Sequence, residues 1–371
     1  IRGYAAQNVP AAAEAIVIGN AMKRGNPEVE AVLNRKLPYL SLPEVLKSRF
    51  LHGRHNLVVT GTHGKTSTAA LLAHTLRHAG LDPGFMIGGI ADNLGHGANL
   101  NDSRHFVIEG DEYDSAFFDK RSKFMHYLPE VLIINNIEFD HADIFPDLEA
   151  IMTSFRHLLR IVPGEGAVLA NADCPNCQRL AGDCPAPLLE VGFSENAAQR
   201  ITAVSHAPWG SEFSLLGRRF RIPQTGEFNV RNAAMAAAAA RFYNIPDETI
   251  AEALAGFAGV KRRQQLRGEA AGVRVIDDFG HHPSAIRQTI AAVRHRFPGS
   301  RLWAVFEPRS NSTRRNVFQD ALASALGAAD AVILARAARL DQVAPGQRLD
   351  SEKLRADIES LGRPAFLEND V

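Results

Sequence analysis

A strand, a glycine-containing turn and a helix follow one another directly between residues 56 and 80, and this segment constrains the fold most strongly. The apolar run Asn56–Thr60 predicts a buried strand. The segment Lys65–Ala79 predicts a helix that is closed by Gly80. A chain that repeats this order of strand and helix builds parallel sheets that are covered by helices.

The same order recurs along the chain and predicts an α/β protein. Other short apolar runs predict strands at Ala15–Ile18, Phe106–Ile108, Val131–Ile134, Val273–Ile276, Leu302–Phe306 and Ala331–Leu334, and an alanine-rich stretch predicts a helix at Phe228–Tyr243. Arg262 and Arg263 precede a new series of strands and helices, so we expect a domain boundary there. We therefore predict a central domain at 53–262 and a C-terminal domain at 263–371, with residues 1–52 as the remnant of a truncated N-terminal domain.

The length and charge of the chain exclude several classes of protein. At roughly 100–200 residues per domain, 371 residues suggest two or three domains. Lys and Arg number 41, as do Asp and Glu, so the chain lacks the basic excess of a broad nucleic-acid surface. The longest apolar run, Ala233–Ala240, falls well short of the roughly 20 residues of a membrane span and predicts a packed helix. We expect no nucleic-acid or membrane partner, and a monomer or weak dimer.

Three cysteines lie in one short stretch, at Cys174, Cys177 and Cys184. A structural zinc site needs four ligands, and this stretch offers only three cysteines. The surrounding residues 171–187 resemble a loop, so the favoured interpretation is a surface loop that carries reduced thiols, and a metal or redox role is the alternative. Free cysteines of this kind are typical of a cytoplasmic protein.

Polar clusters follow five of the predicted strands. In open α/β sheets, ligands bind outside the carboxyl ends of the strands. Five such clusters therefore predict one or two facing active-site rims. The clusters are Gly61–Thr66, Glu109–Asp114, Asn135–His141, Asp277–Pro283 and Glu307–Asn311.

The first cluster, Gly61-Thr-His-Gly-Lys-Thr66, predicts a phosphate-binding loop. A glycine-rich turn at a helix start exposes backbone N–H groups to phosphate, and the helix dipole favours the negative charge. Lys65 has the length to contact the β- and γ-phosphates, and the Thr66 hydroxyl is a Mg²⁺ ligand in such loops. Val59 stands where the usual G-x-x-x-x-G-K pattern has its first glycine, so this is a short variant.

The next two clusters supply hard oxygen ligands and a histidine. The segment 109–114 offers more carboxylates than one Mg²⁺ needs, at Glu109, Asp111, Glu112 and Asp114. Asp140 and His141 follow the next strand. A histidine at a Mg²⁺ site suggests a second ion position that is less strictly octahedral.

Together these motifs resemble the Mur ligase family, the ATP-dependent amide-forming enzymes of peptidoglycan assembly. Thr60–Thr68 resembles the ATP loop of the family, Glu109–Asp114 its acidic motif, and Asn135–His141 its metal-histidine motif. Gly226–Asn232 resembles its adenine-binding helix start, and Asp277–Pro283 resembles the turn of its third domain that faces nucleotide and substrate. The resemblance implies a central ATPase domain with a parallel sheet and a phosphate loop, followed by a Rossmann-like C-terminal domain that is incomplete at its end.

Three stretches favour one activity within the family. The stretches Asp114–Phe124, Phe139–Phe145 and Glu307–Asn311 resemble members that join the tripeptide L-alanyl-γ-D-glutamyl-meso-diaminopimelate to UDP-N-acetylmuramate through an acyl phosphate, in peptidoglycan recycling. The alternative is the member that adds L-alanine to the same acceptor. More distant alternatives are a P-loop NTPase switch and a nucleotide-binding module without catalysis.

The resemblance also implies roles for individual residues. Lys65, His141 and Glu109 would be catalytic, and Thr66, Glu109, Glu112 and His141 would ligate Mg²⁺. The residues expected to bind ATP are Gly61, Thr62, His63, Gly64, Lys65, Thr66, Ser67, Asn232, Arg262, Arg263, Asp277 and Asp278. The residues expected to contact the other substrates are Asn20, His281, His282, Arg309 and Ser310.

The chain departs from the family pattern at three points. Phe228 stands where the family usually has a histidine, and Gly110 replaces the commoner alanine. Some members carry a carbamoylated lysine shortly after the metal histidine, but this chain has no lysine between Lys123 and Lys261. That device is therefore not used here.

Overall fold

The computed structural model of the protein describes residues 2–368. The strands of these residues form four sheets. The N-terminal segment has strands β1 (Ile16–Ile18) and β2 (Tyr39–Ser41) and helices α1 (Pro27–Asn34) and α2 (Leu42–Leu46). The strands of the central segment are β3 (His55–Thr60), β4 (Gly84–Met86), β5 (Ala98–Asn99), β6 (His105–Glu109), β7 (Val131–Ile134), β8 (Ala167–Asn171), β9 (Leu188–Gly192), β10 (Gln199–Ala207), β11 (Gly210–Leu215) and β12 (Arg218–Ile222). Its helices are α3 (Lys65–His78), α4 (Leu148–Leu159), α5 (Pro175–Gln178), α6 (Glu227–Phe242) and α7 (Asp247–Ala255).

The remaining elements belong to the C-terminal segment or are single helical turns. The C-terminal segment has β13 (Gln265–Ala270), β14 (Val273–Asp277), β15 (Trp303–Phe306), β16 (Ala331–Ala335), β17 (Ala365–Glu368), α8 (Pro283–Arg296), α9 (Gln319–Leu326) and α10 (Ser351–Ser360). Short 3-10 helices lie at Ala6–Asn8, Lys123–His126, Ala181–Asp183, Asn316–Phe318, Leu340–Gln342 and Pro345–Gln347, and a π-helical turn lies at Lys47–Leu51. Across the described residues, no helix combines the length and hydropathy of a membrane span.

The central segment folds around a ten-stranded sheet with the order β12-β11-β10-β9-β8-β7-β3-β6-β4-β5. The strands from β10 to β4 in this order are parallel to their neighbours, which confirms the predicted α/β fold. The sequence did not reveal the antiparallel edge formed by β10, β11 and β12. Strand β3 lies between β6 and β7, and the chain reaches those two neighbours in opposite directions along the sheet. A ligand is expected at such a switch point, outside the carboxyl end of β3.

Apolar residues cover both faces of this sheet. Successive residues of β3 alternate between two cores, since Leu57 and Val59 pack with α3, α6 and α7 while Val58 packs with α4. The run Ala233–Ala240 in α6 is buried as predicted, and its small side chains allow α3 and α6 to approach closely. The phosphate-loop helix is therefore held firmly against the sheet.

The C-terminal segment contains a three-stranded parallel sheet, β15-β16-β17, packed against α8, α9 and α10. The prediction that Val273–Ile276 begins a parallel series was wrong. Strand β14 instead forms an antiparallel hairpin with β13. Ala271 and Gly272, at the turn, both have positive φ values of 49° and 77°, as a two-residue type I′ hairpin requires.

The prediction of a surface cysteine loop was also wrong. Cys174 and Cys177 are 8% and 2% exposed and belong to the core on the α4 side of the sheet. Pro175 begins the short helix α5, which directs both thiols toward the backbone that follows β7, where Cys174 Sγ accepts from Ile137 N at 3.4 Å. Within residues 2–368, these cysteines form no metal-ligating trio.

Candidate active site

Strand register brings the first three polar clusters to one edge of the sheet. Val59 pairs with Glu109 of β6, and Thr60 pairs with Ile134 of β7. The phosphate loop, the acidic segment and the Asn135–His141 segment therefore begin side by side, at the carboxyl ends of β3, β6 and β7. This proximity is a direct consequence of parallel pairing on both sides of β3.

Two glycines of the loop have no room for a side chain. A Cβ at Gly61 would lie 2.9 Å from the backbone of Asn136, and φ there is +123°. A Cβ at Gly64, with φ +80°, would lie 2.6 Å from Asn232 Oδ1. These positions keep the loop flat against its neighbours and its N–H groups accessible at the start of α3.

The segment after β7 holds the loop by hydrogen bonds. The N–H of Thr62 donates to Asn136 O at 3.0 Å, and the N–H of His63 donates to Asn136 Oδ1 at 2.8 Å. Asn135 Nδ2 donates to Thr68 Oγ1 at 3.0 Å, in the first turn of α3 directly after Ser67. The loop shape is thus set before any ligand binds.

Lys65, Glu112 and His141 form a buried charged network. Lys65 Nζ lies 2.9 Å from Glu112 Oε2 and donates to Gly61 O at 2.7 Å. His141 Nε2 lies 2.7 Å from the other oxygen, Glu112 Oε1. Burial raises the pKa of Glu112, but Lys65 and His141 outweigh it and lower the pKa to about 2. Burial lowers the pKa values of Lys65 and His141, but the carboxylates raise both above their ordinary values.

Thr66 and Glu109 provide a pair of oxygen atoms that fits Mg²⁺. Thr66 Oγ1 and Glu109 Oε1 are 3.1 Å apart, and the other oxygen, Oε2, accepts from Gly88 N at 2.7 Å. Two adjacent ligands of an octahedral Mg²⁺ ion with bonds of about 2.1 Å are separated by about 2.9 Å. These two side chains are therefore already spaced for one ion beside the phosphate loop.

The backbone at His141 is strained and is held from two sides. Its φ is +56°, a left-handed conformation that is uncommon outside glycine. Its N–H donates to Asp140 Oδ1 at 2.7 Å and to Ser312 Oγ at 3.0 Å, and the Ser312 hydroxyl donates to Asp140 at 2.5 Å. The Tyr113 ring lies 4.2 Å from the His141 ring, centroid to centroid. The imidazole is thus aimed at Glu112 by contacts from both the central and C-terminal segments.

Asn232 lies in the same cleft with an unused donor. The residue is 5% exposed, and its buried Nδ2 has no hydrogen-bond partner among the described residues. Its Oδ1 lies next to Gly64, and the Phe228 ring also lines the cleft. A buried amide donor without a partner is costly unless a ligand accepts from it. This arrangement fits a heteroaromatic base beside the phosphate loop.

Residues at the predicted domain boundary approach the loop from the other side. Arg263 Nη2 donates to Thr66 Oγ1 at 3.2 Å, and burial lowers the pKa of this guanidinium. Asp278 lines the cleft, with its carboxylate accepting from Gln264 N at 2.9 Å. Arg262 and Asp277 instead pair with each other at 3.5 Å and lie outside the cleft.

The two adjacent histidines after β14 both line the cleft. His281 Nε2 lies 3.7 Å from Asp140 Oδ2, within the contacts that hold His141. His282 is 6% exposed and caps helix α8, with its Nδ1 accepting from Ser284 N at 3.3 Å. The C-terminal segment is therefore in direct contact with the phosphate-loop side of the site.

Three predicted substrate residues lie away from this cleft. Asn20 is exposed in the N-terminal segment. Arg309 has a side chain that is 77% exposed and lies 3.5 Å from Glu307, and Ser310 exchanges hydrogen bonds with Thr313. Of the other predicted residues, most line the cleft together: Thr62, His63, Gly64, Lys65, Thr66, Ser67, Glu109, His141, Asn232, Arg263, Asp278, His281 and His282.

Sequence reasoning assigned no individual role to four residues that shape the site. Ser312 and Asp140 fix His141, Tyr113 packs against its ring, and Glu138 lies between two histidines. Glu138 and Tyr113 stand inside motifs that the sequence did reveal, so their position was a usable signal. Ser312 had none, because its partner is distant in the chain.

Comparisons with known proteins agree with this geometry. Residues 59–240 match the model for the Mur ligase middle domain, and residues 262–371 match the Mur ligase glutamate ligase domain. The chain belongs to the Mur ligase family, and the predictions of family and fold class are confirmed.

Individual relatives carry ligase names, which confirms the predicted enzyme class. The UDP-N-acetylmuramate–L-alanyl-γ-D-glutamyl-meso-2,6-diaminoheptandioate ligase of Escherichia coli K12 is 46% identical over 92% of this chain and 75% of its own length. The crystal structure of the corresponding diaminopimelate ligase from Neisseria meningitides has a TM-score of 0.66 at 43% identity, covering 71% of this chain and 84% of that one. A UDP-N-acetylmuramate–L-alanine ligase from Paracidovorax citrulli is 34% identical over 99% of this chain and 78% of its own length.

Proposed function

We propose that the protein is an ATP-dependent ligase that joins L-alanyl-γ-D-glutamyl-meso-diaminopimelate to the lactyl carboxylate of UDP-N-acetylmuramate. The observation that carries the proposal is the pairing of a preformed phosphate loop with two separate sets of metal-ligating atoms, Thr66 with Glu109 and Glu112 with His141. The 46% identity to the Escherichia coli ligase of that name supports the choice of substrates.

The chemistry requires the carboxylate to be activated first. A carboxylate is a poor acyl donor because its leaving group would be oxide. Transfer of the γ-phosphoryl group of ATP to a carboxylate oxygen gives an acyl phosphate and ADP. The tripeptide amine then attacks the acyl carbon, loses a proton, and expels phosphate from the tetrahedral intermediate to leave the amide.

The phosphoryl transfer depends on positioning and charge. In the proposed mechanism, the N–H groups of Gly64, Lys65 and Thr66 face the phosphates, and the ammonium group of Lys65 lies against the β- and γ-oxygens. Mg²⁺, for which Thr66 and Glu109 are suitably spaced, would neutralise charge on these oxygens when bound. Arg263, already hydrogen-bonded to Thr66, adds a cation from the opposite side.

Glu112 and His141 would act on the acceptor side. Their facing atoms are 2.7 Å apart and can hold a second Mg²⁺ once they share no proton. Asp140 and Ser312 keep the His141 backbone in its strained conformation, so the imidazole stays aimed at this position. The second site joins the Glu109–Asp114 segment to the Asn135–His141 segment, and we expect the acyl phosphate to form beside it.

Adenine would bind within the cleft, and the amine substrate would bind outside it, near Arg309. The unpartnered Nδ2 of Asn232 offers a hydrogen bond to the adenine ring. Arg309, whose side chain is 77% exposed, is available to hold a substrate carboxylate after it releases Glu307. Binding of both substrates requires the central and C-terminal domains to close, as lids do in many enzymes.

Several broader assignments belong to the same proposal. The division into 1–52, 53–262 and 263–371 separates a UDP-binding segment, an ATP-binding domain and an amine-binding domain. The cytoplasmic location follows from the free cysteines and from the substrates.

A phosphate-release assay tests the proposal. The purified protein is given ATP, Mg²⁺ and UDP-N-acetylmuramate, with either the tripeptide or L-alanine as the amine. Phosphate release that requires both acceptor and tripeptide supports the proposal. Equal rates with L-alanine would favour the alanine-adding activity, whose relative is 34% identical. Release without any acceptor would favour a nucleotide-hydrolysing switch.

A further inference from the structure

A second cluster of metal-ligating atoms lies beside the phosphate loop, outside the proposed Mg²⁺ positions. His63, Glu138 and His282 each direct one ligand atom to a common point, and these atoms all lie within 4.8 Å of one another. Glu138 Oε2 is 3.4 Å from His282 Nδ1 and 3.8 Å from His63 Nε2. The three residues come from the phosphate loop, the segment after β7 and the N-cap of α8, so they join the central and C-terminal segments.

The spacing of these atoms suits a tetrahedral transition-metal ion. Zn²⁺ with two imidazole nitrogens and one carboxylate oxygen has bonds of about 2.0–2.2 Å, which places neighbouring ligand atoms about 3.3–3.6 Å apart. The observed 3.4 Å already satisfies this spacing, and the 3.8 Å contact needs a shift of a few tenths of an ångström. The two imidazole nitrogens lie within 4.8 Å of each other, and binding of the ion would draw them together. Imidazole ligands favour Zn²⁺, Co²⁺ or Ni²⁺ over Mg²⁺.

The hydrogen bonding of His282 also suits metal binding. His282 Nε2 donates to Phe139 O at 3.2 Å, which fixes the tautomer and leaves a lone pair on Nδ1. A backbone carbonyl in this position is the usual outer partner of a metal-bound histidine.

One ligand atom of the cluster makes no hydrogen bond to any described residue. His63 Nε2 is buried and makes no hydrogen bond within residues 2–368. The other ligand atoms have only replaceable contacts: Glu138 Oε2 accepts from Ser284 Oγ at 2.7 Å, and His282 Nδ1 accepts from Ser284 N at 3.3 Å. A buried ring nitrogen that a metal ion would satisfy is therefore present in the loop.

We propose that His63, Glu138 and His282 bind one Zn²⁺-class ion that ties the phosphate loop to the start of α8. The site has three protein ligands and a fourth position for water. It goes beyond the proposed ligase activity and requires neither nucleotide nor Mg²⁺. An ion here links two parts of the chain that must move relative to each other, so its occupancy would restrain closure of the cleft.

Titration with Co²⁺ tests this site without reference to activity. Protein stripped with EDTA and free of nucleotide is titrated with Co²⁺, and the visible d–d bands of four-coordinate cobalt are recorded and then displaced with Zn²⁺. We expect one such ion per chain in the unmodified protein. The variants His63→Gln, Glu138→Gln and His282→Gln should each bind at least roughly 10- to 100-fold more weakly, because loss of even an outer partner has that effect.

Matched controls separate this cluster from other ligands. His206 and His295 have ring centroids 4.6 Å apart, but they form no ligand trio in the described chain, so His295→Gln should bind Co²⁺ as the unmodified protein does. Cys177→Ser and His141→Ala should likewise retain the bands. Circular dichroism of each variant confirms that it is folded.

Thermal unfolding provides a second measurement. Zn²⁺ should raise the unfolding temperature of the unmodified protein and of His295→Gln, since a ligand that binds only the native state stabilises it. It should not raise that of Glu138→Gln. Absence of d–d bands in the unmodified protein, or equal binding by all three cluster variants, would overturn the proposal. The ligase proposal would be unaffected by either result.

Discussion

Replacement of Lys65 separates the structural role of its charge from its role in turnover. Lys65 Nζ lies 2.9 Å from Glu112 Oε2, and the two side chains are 13% and 4% exposed. At an effective dielectric constant near 20, two charges at this distance attract by about 6 kcal/mol. Desolvation offsets much of this, but removal of one member of a buried pair still costs about 3–5 kcal/mol because the other charge is left uncompensated.

We therefore expect Lys65→Met to lower the free energy of unfolding by about 3 kcal/mol, the lower end of that range, because His141 still contacts Glu112. That loss corresponds to a fall of roughly 6–12 °C in unfolding temperature. The double variant Lys65→Met with Glu112→Gln should recover most of the stability, since no buried charge is then unpaired. Turnover of ATP should fall by about 10²-fold or more in both variants.

Lys120 offers a matched control for this experiment. It forms a 2.7 Å ion pair with Asp114, but its side chain is 70% exposed. Lys120→Met should cost less than about 1 kcal/mol and leave turnover unchanged. Urea unfolding and phosphate release are measured on all four proteins. Near-normal turnover in Lys65→Met would refute the phosphate-loop assignment, and equal stability of the Lys65 and Lys120 variants would refute the buried-pair argument.

Four further predictions follow from the geometry. His141→Ala should slow ligation and raise the Mg²⁺ concentration needed for half-maximal rate; an unchanged titration would make His141 structural. Ser312→Ala should lower kcat but leave the KM for ATP unchanged, because Ser312 holds the backbone of His141 and not the nucleotide. Burial lowers the pKa of His282 to about 4 in the folded protein, from an ordinary 6.5. The unfolded chain therefore binds this proton more tightly, and the free energy of unfolding should fall by about 2 kcal/mol between pH 7 and pH 5. His282→Gln, measured in EDTA, should lack this pH-dependent loss of stability. Arg309→Ala should raise the tripeptide KM, or lower kcat/KM, by roughly 10- to 100-fold with little change for ATP, whereas an unaffected tripeptide KM would leave Arg309 as the partner of Glu307.

The parts of the fold that follow from local pattern could be predicted from the sequence. Val131–Ile134 was bounded as in the structure, and β3 and α3 were bounded to within one residue at each end. Long apolar runs and a glycine-closed helix are strong local signals. Because parallel strands align their carboxyl ends, the proximity of Lys65, Glu109 and His141 was predictable as well.

The features that depend on tertiary contact could not be predicted in this way. The β13–β14 hairpin turns at Ala271-Gly272, a weaker turn signal than Asn-Gly, so its apolar residues were assigned to a parallel strand. Cys174 and Cys177 have loop-like neighbours, and only the packing of α5 on the sheet buries them. The bond from Ser312 to Asp140 joins residues 172 positions apart, which no local pattern encodes.

The placement of charge in the cleft argues for acyl-phosphate chemistry over nucleotide hydrolysis. A switch that hydrolyses nucleotide needs one ion at the phosphates, and Thr66 with Glu109 is sufficient to hold it. Glu112 and His141 are a separate pair, and Glu112 is 3% exposed, so keeping it ionised carries a large desolvation cost. That cost is offset only while cations face both of its oxygens, as Lys65 and His141 do here. A second charged position of this kind, formed by Lys65, Glu112 and His141, suits a reaction in which a second phosphate-bearing species forms beside ADP. That species is the acyl phosphate.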